Sequence, residues 1–215
     1  MQFDAELERV LPLDIPHRDR LIEKAAQHLT LIASANEYMN LTRIIDPQQA
    51  AIKHVYDSVA PWRHFRGAKK VLDAGTGAGF PGIPLSIVLP DVRFTLSESV
   101  HKKARFVDSV IESLELPNAQ VFALRAEEQA TSLHPEIITA RAVAPISRIL
   151  DVFSKALKQG VRVILYKGPD VDAELEEAEK RRVAAEVLCR YELPDGLGMR
   201  TLLQIQRHSL ARTAS

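Results

Sequence analysis

A chain of 215 residues, 46% of them hydrophobic, holds enough apolar material for one good core with a small appendage, so a single main domain is the default. Its 28 basic and 28 acidic residues cancel; no global field gathers or repels polyanions, and affinity for nucleic acid has to come from local patches. The single cysteine, Cys189, excludes an internal disulfide framework and fits a reducing compartment. With no basic leader and no run near the roughly 18 apolar residues of a membrane span, the chain is expected to be unprocessed, soluble and cytoplasmic.

Residues 1–65 read as an N-terminal helical extension and residues 66–215 as the main domain. Leu21, Ala25, Leu29 and Ile32 recur at helical spacing and mark a buried face. Asp46 followed by Pro47 reads as an N-cap and first helical position, with Ile52, Val55 and Val59 turned inward. His54, Asp57 and Ser58 share a face of that helix, where capping and surface polarity account for them. No strand is expected before Lys69.

From there short apolar runs alternate with helical periods. Strands are expected near 69–74, 92–97, 119–124, 136–142, 160–166, 187–193 and 199–206. Phe106, Val107, Val110, Ile111 and Leu114 stripe one intervening helix, and Ile146, Ile149, Leu150 and Phe153 another. Strand–helix alternation implies parallel crossovers and a sheet covered on both faces. Only Pro194-Asp195-Gly196-Leu197-Gly198 separates the last two strands, too little for a crossover, so they should form an antiparallel hairpin. A Rossmann-like, seven-stranded, mostly parallel α/β sheet closed by such a hairpin resembles the class I methyltransferase arrangement. Glu174 to Arg182 reads as a solvated helix face carrying i,i+4 pairs, and residues 208–215 as a frayed tail.

Gly75, Gly77 and Gly79 follow the first parallel strand and open the next helix, at the switch point where open α/β sheets bind ligands. A dinucleotide fingerprint would need its third glycine at position 80, which is Phe80; the spacing instead fits a ligand without a pyrophosphate. Glu98, after the second strand, is placed to accept hydrogen bonds from both hydroxyls of a ribose, against the alternative of an acid favoured by a helix N-terminus. Ala126 and Glu127, after the third strand, bring a backbone amide and a polar side chain to the place of an adenine.

The residues also narrow the chemistry. Cys189 falls in a late strand away from the loop, where core packing accounts for it, so a covalent cysteine mechanism has no nucleophile. The segment Ala140-Arg141-Ala142-Val143-Ala144-Pro145 lacks the polar loop that holds an exocyclic amine. A nucleophile that already carries a lone pair, such as a purine ring nitrogen, remains, and it needs no general base; catalysis then rests on positioning and exclusion of water, and no metal site is expected. Arg125, Arg141, Lys167 and Arg200 stand at or near strand ends, and arginine suits base stacking and phosphate contacts. Arg141 and Lys167 interrupt otherwise apolar or small stretches, which is costly for packing alone. The basic runs Arg63–Arg66 with Lys69-Lys70, and His101–Lys103 with Arg105, face RNA or merely solvate a surface.

These residues closely resemble the glucose-inhibited division protein B family, bacterial methyltransferases that modify guanine N7 in the 530 loop of 16S ribosomal RNA. The resemblance runs from about 36 to 168: Asn36-x-x-x-Asn40-Leu41-Thr42; His54-x-x-Asp57-Ser58; Leu72 through Leu85; Glu98-Ser99 with Lys102-Lys103; Arg125-Ala126-Glu127; Arg141 through Ala144; and Lys167-Gly168. Ala74 stands where valine is common, and the hairpin after 187 matches only loosely. The resemblance implies S-adenosylmethionine as cofactor, contacts at Gly75, Phe80, Ala126, Glu127 and Arg141, and 16S rRNA or the small ribosomal subunit as partner. Asn40, His54, Arg125 and Lys167 within the matched stretch, and Arg200 beyond it, are the residues expected toward the RNA. Two other readings share part of the pattern: an NAD-dependent oxidoreductase, opposed by Phe80, and a non-catalytic RNA-binding protein on the same fold.

Overall fold

The computed structural model describes residues 2–141 and 145–207. Ala142, Val143 and Ala144, where the expected fourth strand ends and its loop begins, and the expected tail at 208–215 lie outside the described residues.

The first third of the chain is helical. Helices α1 (Gln2–Val10) and α2 (Arg18–Met39) are followed by α3 (Pro47–Ala50), which runs through a π-helical stretch (Ala51–Tyr56) into α4 (Asp57–Val59). The apolar stripe of α2 is buried at Leu21, Ala25, Leu29 and Ile32, and the helix stops where Asn40 takes a left-handed conformation at φ 50°, which asparagine tolerates better than most residues. Asp46 caps α3 as its sequence indicates, its Oδ1 accepting the Gln49 amide at 2.9 Å.

Seven strands follow: β1 (Lys70–Ala74), β2 (Arg93–Ser97), β3 (Ala119–Phe122), β4 (Ile137–Arg141), β5 (Arg162–Lys167), β6 (Ala184–Glu192) and β7 (Met199–Gln206). They form one sheet in the order β3-β2-β1-β4-β5-β7-β6. The first five strands pair in parallel; β7 runs antiparallel to β5 and β6. The class I methyltransferase arrangement is therefore the one observed. β6 starts three residues earlier than expected and carries an irregularity between Val187 and Cys189. Its opening Ala184-Ala185-Glu186 is poor in strand-forming side chains, and pairing with β7 recruits it.

Neighbouring strand residues point to opposite faces, and each face has its own core. Val71 of β1 packs with Leu21, Leu29, Ile52 and Val55 of the N-terminal helices and with Ile83 and Val107 of α5 (Gly82–Val88) and α6 (His101–Ser113). Leu72 packs on the other side with Ala130 of α7 (Ala126–Leu133), Ile149 of α8 (Ile146–Val152), Ala156 of α9 (Ser154–Lys158) and Ala178 of α10 (Asp172–Lys180). The C-terminal ends of β1 to β5 thus meet at one edge of a sheet buried on both faces.

Candidate active site

At that edge the chain leaves β1 through the glycine loop. The amides of Gly75 and Thr76 both donate to the Ser97 carbonyl, at 2.9 and 3.0 Å, tying the loop to the end of β2. Gly77 sits at φ +61°, and a Cβ there would meet nothing within 4 Å, so its constraint is conformational and its outer side is open. Gly79, at φ +101°, shares that constraint, and a Cβ there would also come within 2.5 Å of Ile83 Cδ1, which would have to move. Asp73 anchors the turn from inside. Its Oδ2 accepts the Thr76 hydroxyl at 2.6 Å and the Gly82 amide at 2.8 Å, while Oδ1 is buried without a partner. Burial pushes its carboxyl up to about 6.

Beside the loop lies a cavity of about 520 Å³, bounded by Ala74, Gly75, Ser97 and Ser99 on one side and by Leu124, Arg125, Ala126, Glu127, Ile149 and Phe153 on another. The volume is within the usual range for a small-molecule site. Glu98 borders this region: one carboxylate oxygen accepts the Gly77 amide at 3.1 Å and the other the Val100 amide at 2.8 Å. The acid thus clamps the glycine loop to the residue before α6, and each oxygen keeps a further lone pair for another donor.

A second assembly is buried behind the loop. Phe80 is 4% exposed, and the imidazoles of His28 and His54 both stack on it with centroids 4.7 Å away. The guanidinium carbon of Arg141 lies 5.3 Å from the Phe80 ring centroid. Any ligand contact at position 80 therefore falls to the backbone. His28 Nε2 donates to the Ala78 carbonyl at 2.8 Å, and His54 Nε2 is 3.3 Å from the Ile44 carbonyl. Burial lowers both rings, His28 to about 4 and His54 to about 3, with Arg141 adding to the effect on His54.

His54, Asp57 and Ser58 do not form a polar surface, as their helical face suggested; they are buried. The π-helical turn, in which the Asp57 amide donates to the carbonyl of Ile52, presents them to partners far along the chain. Arg141 Nη1 donates to the Lys53 carbonyl at 2.8 Å. Tyr191 donates its hydroxyl to Asp57 Oδ1 at 2.9 Å, and Tyr166 donates to the Ser58 carbonyl at 2.8 Å. Such π turns concentrate at functional sites.

The residues singled out from the sequence therefore divide. Gly75, Arg125, Ala126 and Glu127 line the cavity; Gly77 and Glu98 are hydrogen-bonded to each other beside it. Phe80, His54 and Arg141 meet in the buried assembly, which Arg200 joins through Asp57. Lys167 pairs with Glu174 at 3.0 Å, and Asn40 is exposed at the end of α2. Cys189 is half-buried in β6. Asp73 belongs to the loop that the sequence marks, though its anchoring role is seen only here, and the sequence does not single out His28 or Tyr191. The position of His28 within the Leu21–Ile32 apolar stripe was a usable signal; Tyr191 offered none.

A family model described as GidB, rRNA small subunit methyltransferase G, matches residues 21–193. A protein named ribosomal RNA small subunit methyltransferase G from Solibacter usitatus is 54% identical over 210 residues, covering 96% of this chain and all of that protein. Its namesake from Desulfitobacterium hafniense is 37% identical over 74% of this chain and 68% of its own. Among solved structures, an O-methyltransferase from Bacillus cereus in complex with SAH shares the fold, with a TM-score of 0.59 and 20% identity over 94% of this chain and 96% of that one. The match takes in both the glycine loop and the buried π turn behind it, and the chain belongs to the rRNA small subunit methyltransferase G family.

Proposed function

We propose that this chain transfers a methyl group from S-adenosylmethionine to N7 of a guanine in the 530 loop of bacterial 16S rRNA, as naked rRNA or within the small ribosomal subunit, in the cytoplasm. Residues 1–65 act as a helical extension packed on a methyltransferase domain formed by 66–215. The observation that carries this reading is the junction of the glycine loop with a cavity of cofactor size in a chain of this family.

The residues fit the cofactor. Leu124, Ile149 and Phe153 give the cavity apolar walls suited to an adenine. Ala126 and Glu127 supply its polar edge, Glu98 accepts from ribose hydroxyls, and the backbone of Gly75 through Phe80 receives the rest. When bound, the cofactor supplies an electrophilic methyl group. Guanine N7 brings its own lone pair, so the chain has no proton to remove; its residues orient the acceptor and exclude water. Arg141 positions the end of β4, and Asn40, Arg125, Lys167 and Arg200 form the side toward the RNA. Given the burial of His54, its part is to hold Phe80.

Thermal denaturation with added ligand tests the cofactor assignment. A ligand binding only the folded state raises its stability, by about 2.7 kcal/mol at 100 times the dissociation constant. S-adenosylhomocysteine should raise the melting temperature and NAD should not; the reverse would return the loop to the oxidoreductase class.

A further inference from the structure

Asp57 is 3% exposed and faces positive charge from two separate strands. Arg141 Nη1, from the end of β4, lies 3.6 Å from Oδ2, and Arg200 Nε, from β7, lies 3.4 Å from the same oxygen. The other oxygen, Oδ1, accepts the Tyr191 hydroxyl at 2.9 Å, which leaves Oδ2 turned toward the two guanidinium groups. Arg141 is further held by the carbonyls of Lys53 and His54, at 2.8 and 3.4 Å. A guanidinium so placed is locked on three sides, with the Phe80 ring on the fourth.

We propose that Asp57 is a positioning residue for methyl transfer: with the carbonyls of the π turn, it fixes Arg141 over Phe80 and thereby sets the end of β4 against the end of the glycine loop. The assignment of that loop to the cofactor, made above, is what the proposal rests on. The physical reason lies in burial. A half-buried arginine packed near a second arginine is repelled and poorly solvated unless an anion compensates both, and Asp57 is the carboxylate that both approach. Remove its charge and Arg141 keeps only the carbonyls of Lys53 and His54 to hold it over Phe80, so its side chain is fixed less firmly at the end of β4. Asp57 itself touches neither the cavity nor the loop; it acts through Arg141.

A double-mutant cycle tests this. Asp57→Asn keeps the shape and the Tyr191 acceptor but removes the charge. Tyr191→Phe keeps the charge and removes the hydroxyl that orients it. Each is made alone and in the Arg141→Lys background, and two quantities are measured: the affinity for S-adenosylhomocysteine by calorimetry, and the single-turnover methyl-transfer rate on small ribosomal subunits. Misplacement of a positioned group costs on the order of 100-fold in rate; Asp57→Asn should approach that loss, and Tyr191→Phe should lose about 3- to 10-fold by the same mechanism. In the Arg141→Lys background both losses should shrink to under about 3-fold, because there is no longer a guanidinium to place. A merely structural role would lower rate and melting temperature alike whatever stood at position 141. Full losses persisting in that background overturn the proposal, and the Tyr191→Phe arm decides it if Asp57→Asn does not fold. Wild-type protein that binds no S-adenosylhomocysteine overturns the cofactor assignment and the proposal together, whereas normal binding with additive losses overturns the proposal alone.

Discussion

The imidazole of His54 lies parallel to the ring of Phe80, their centroids 4.7 Å apart and their planes within 10°. One ring belongs to the N-terminal helices and the other ends the glycine loop, so those helices pack directly behind that loop. Burial holds this imidazole uncharged, which makes acid the natural means of disturbing the stack.

Stability should fall on acidification below about pH 6.5. His28 and His54 are held neutral, lowered to about 4 and about 3 from an ordinary 6.5. A base depressed in this way stabilises the fold fully above its unfolded value, and the contribution is lost as pH falls toward the folded one. Asp73, raised to about 6, works in the opposite sense: its contribution is present below about 3.8 and is lost as pH rises through about 6. Between pH 4 and 6 the two histidines outweigh the one acid, and the net loss should be on the order of a few kcal/mol. Urea denaturation across that range measures it. Asp73→Asn removes the opposing group and should steepen the decline; a flat profile in wild type would mean that the histidines are not buried neutral.

Gly77→Val should abolish binding of S-adenosylhomocysteine while the protein stays folded. The φ of +61° at Gly77 is disfavoured for an L-residue by about 1–2 kcal/mol, and the branched side chain would occupy the open side of the loop. Near-normal affinity by calorimetry would remove the loop from the cofactor site. Gly82→Ala is the structural contrast, since its Cβ would meet Asp73 Oδ2 at 2.7 Å and Leu96 Cγ at 2.9 Å. It should destabilise the fold by about 1–3 kcal/mol, the range for overpacking.

Glu98→Gln should weaken cofactor binding by roughly 1–3 kcal/mol, the range for hydrogen bonds to a charged group. The clamp adds a second effect. The carboxylate accepts from Gly77 and Val100 on different oxygens, and an amide has only one acceptor oxygen, so one backbone N–H loses its partner. A melting temperature lowered along with the affinity is expected; unchanged values of both would reduce Glu98 to a helix-terminal acid.

The strands and their directions were legible because strands buried on both faces are short apolar runs between helical periods, and because the short segment between β6 and β7 cannot carry a parallel crossover. The proximity of Gly77 and Glu98 was legible too, since they follow the neighbouring strands β1 and β2 and meet by local reach. The buried assembly was not. A helical projection put His54 and Asp57 on a polar face, but what covers them arrives from positions 141, 191 and 200, and no periodicity within one helix encodes a partner so far along the chain. The inward turn of Phe80 was hidden for the same reason: its neighbours His28 and His54 come from separate helices.

Lys167→Ala should weaken RNA binding and lower the salt slope by about one phosphate contact. Lys167 is now paired with Glu174 at 3.0 Å, so Glu174→Gln should do the reverse and strengthen binding at low salt. Filter binding to 16S rRNA fragments across a salt series gives both slopes, and parallel lines for wild type and Lys167→Ala would place Lys167 away from the RNA.

The most direct measurement is single-turnover transfer of a labelled methyl group from S-adenosylmethionine to small-subunit RNA, with the modified nucleotide mapped and the rate followed across pH. A ring nitrogen acceptor needs no deprotonation, so the rate should vary little between about pH 6 and 9, the label should sit on N7 of one guanine of the 530 loop, and Cys189→Ser should behave as wild type. Label on another atom, a steep limb with a pKa near about 7 that signals a titrating base, or complete loss of transfer in Cys189→Ser would contradict methyl transfer to a guanine ring nitrogen.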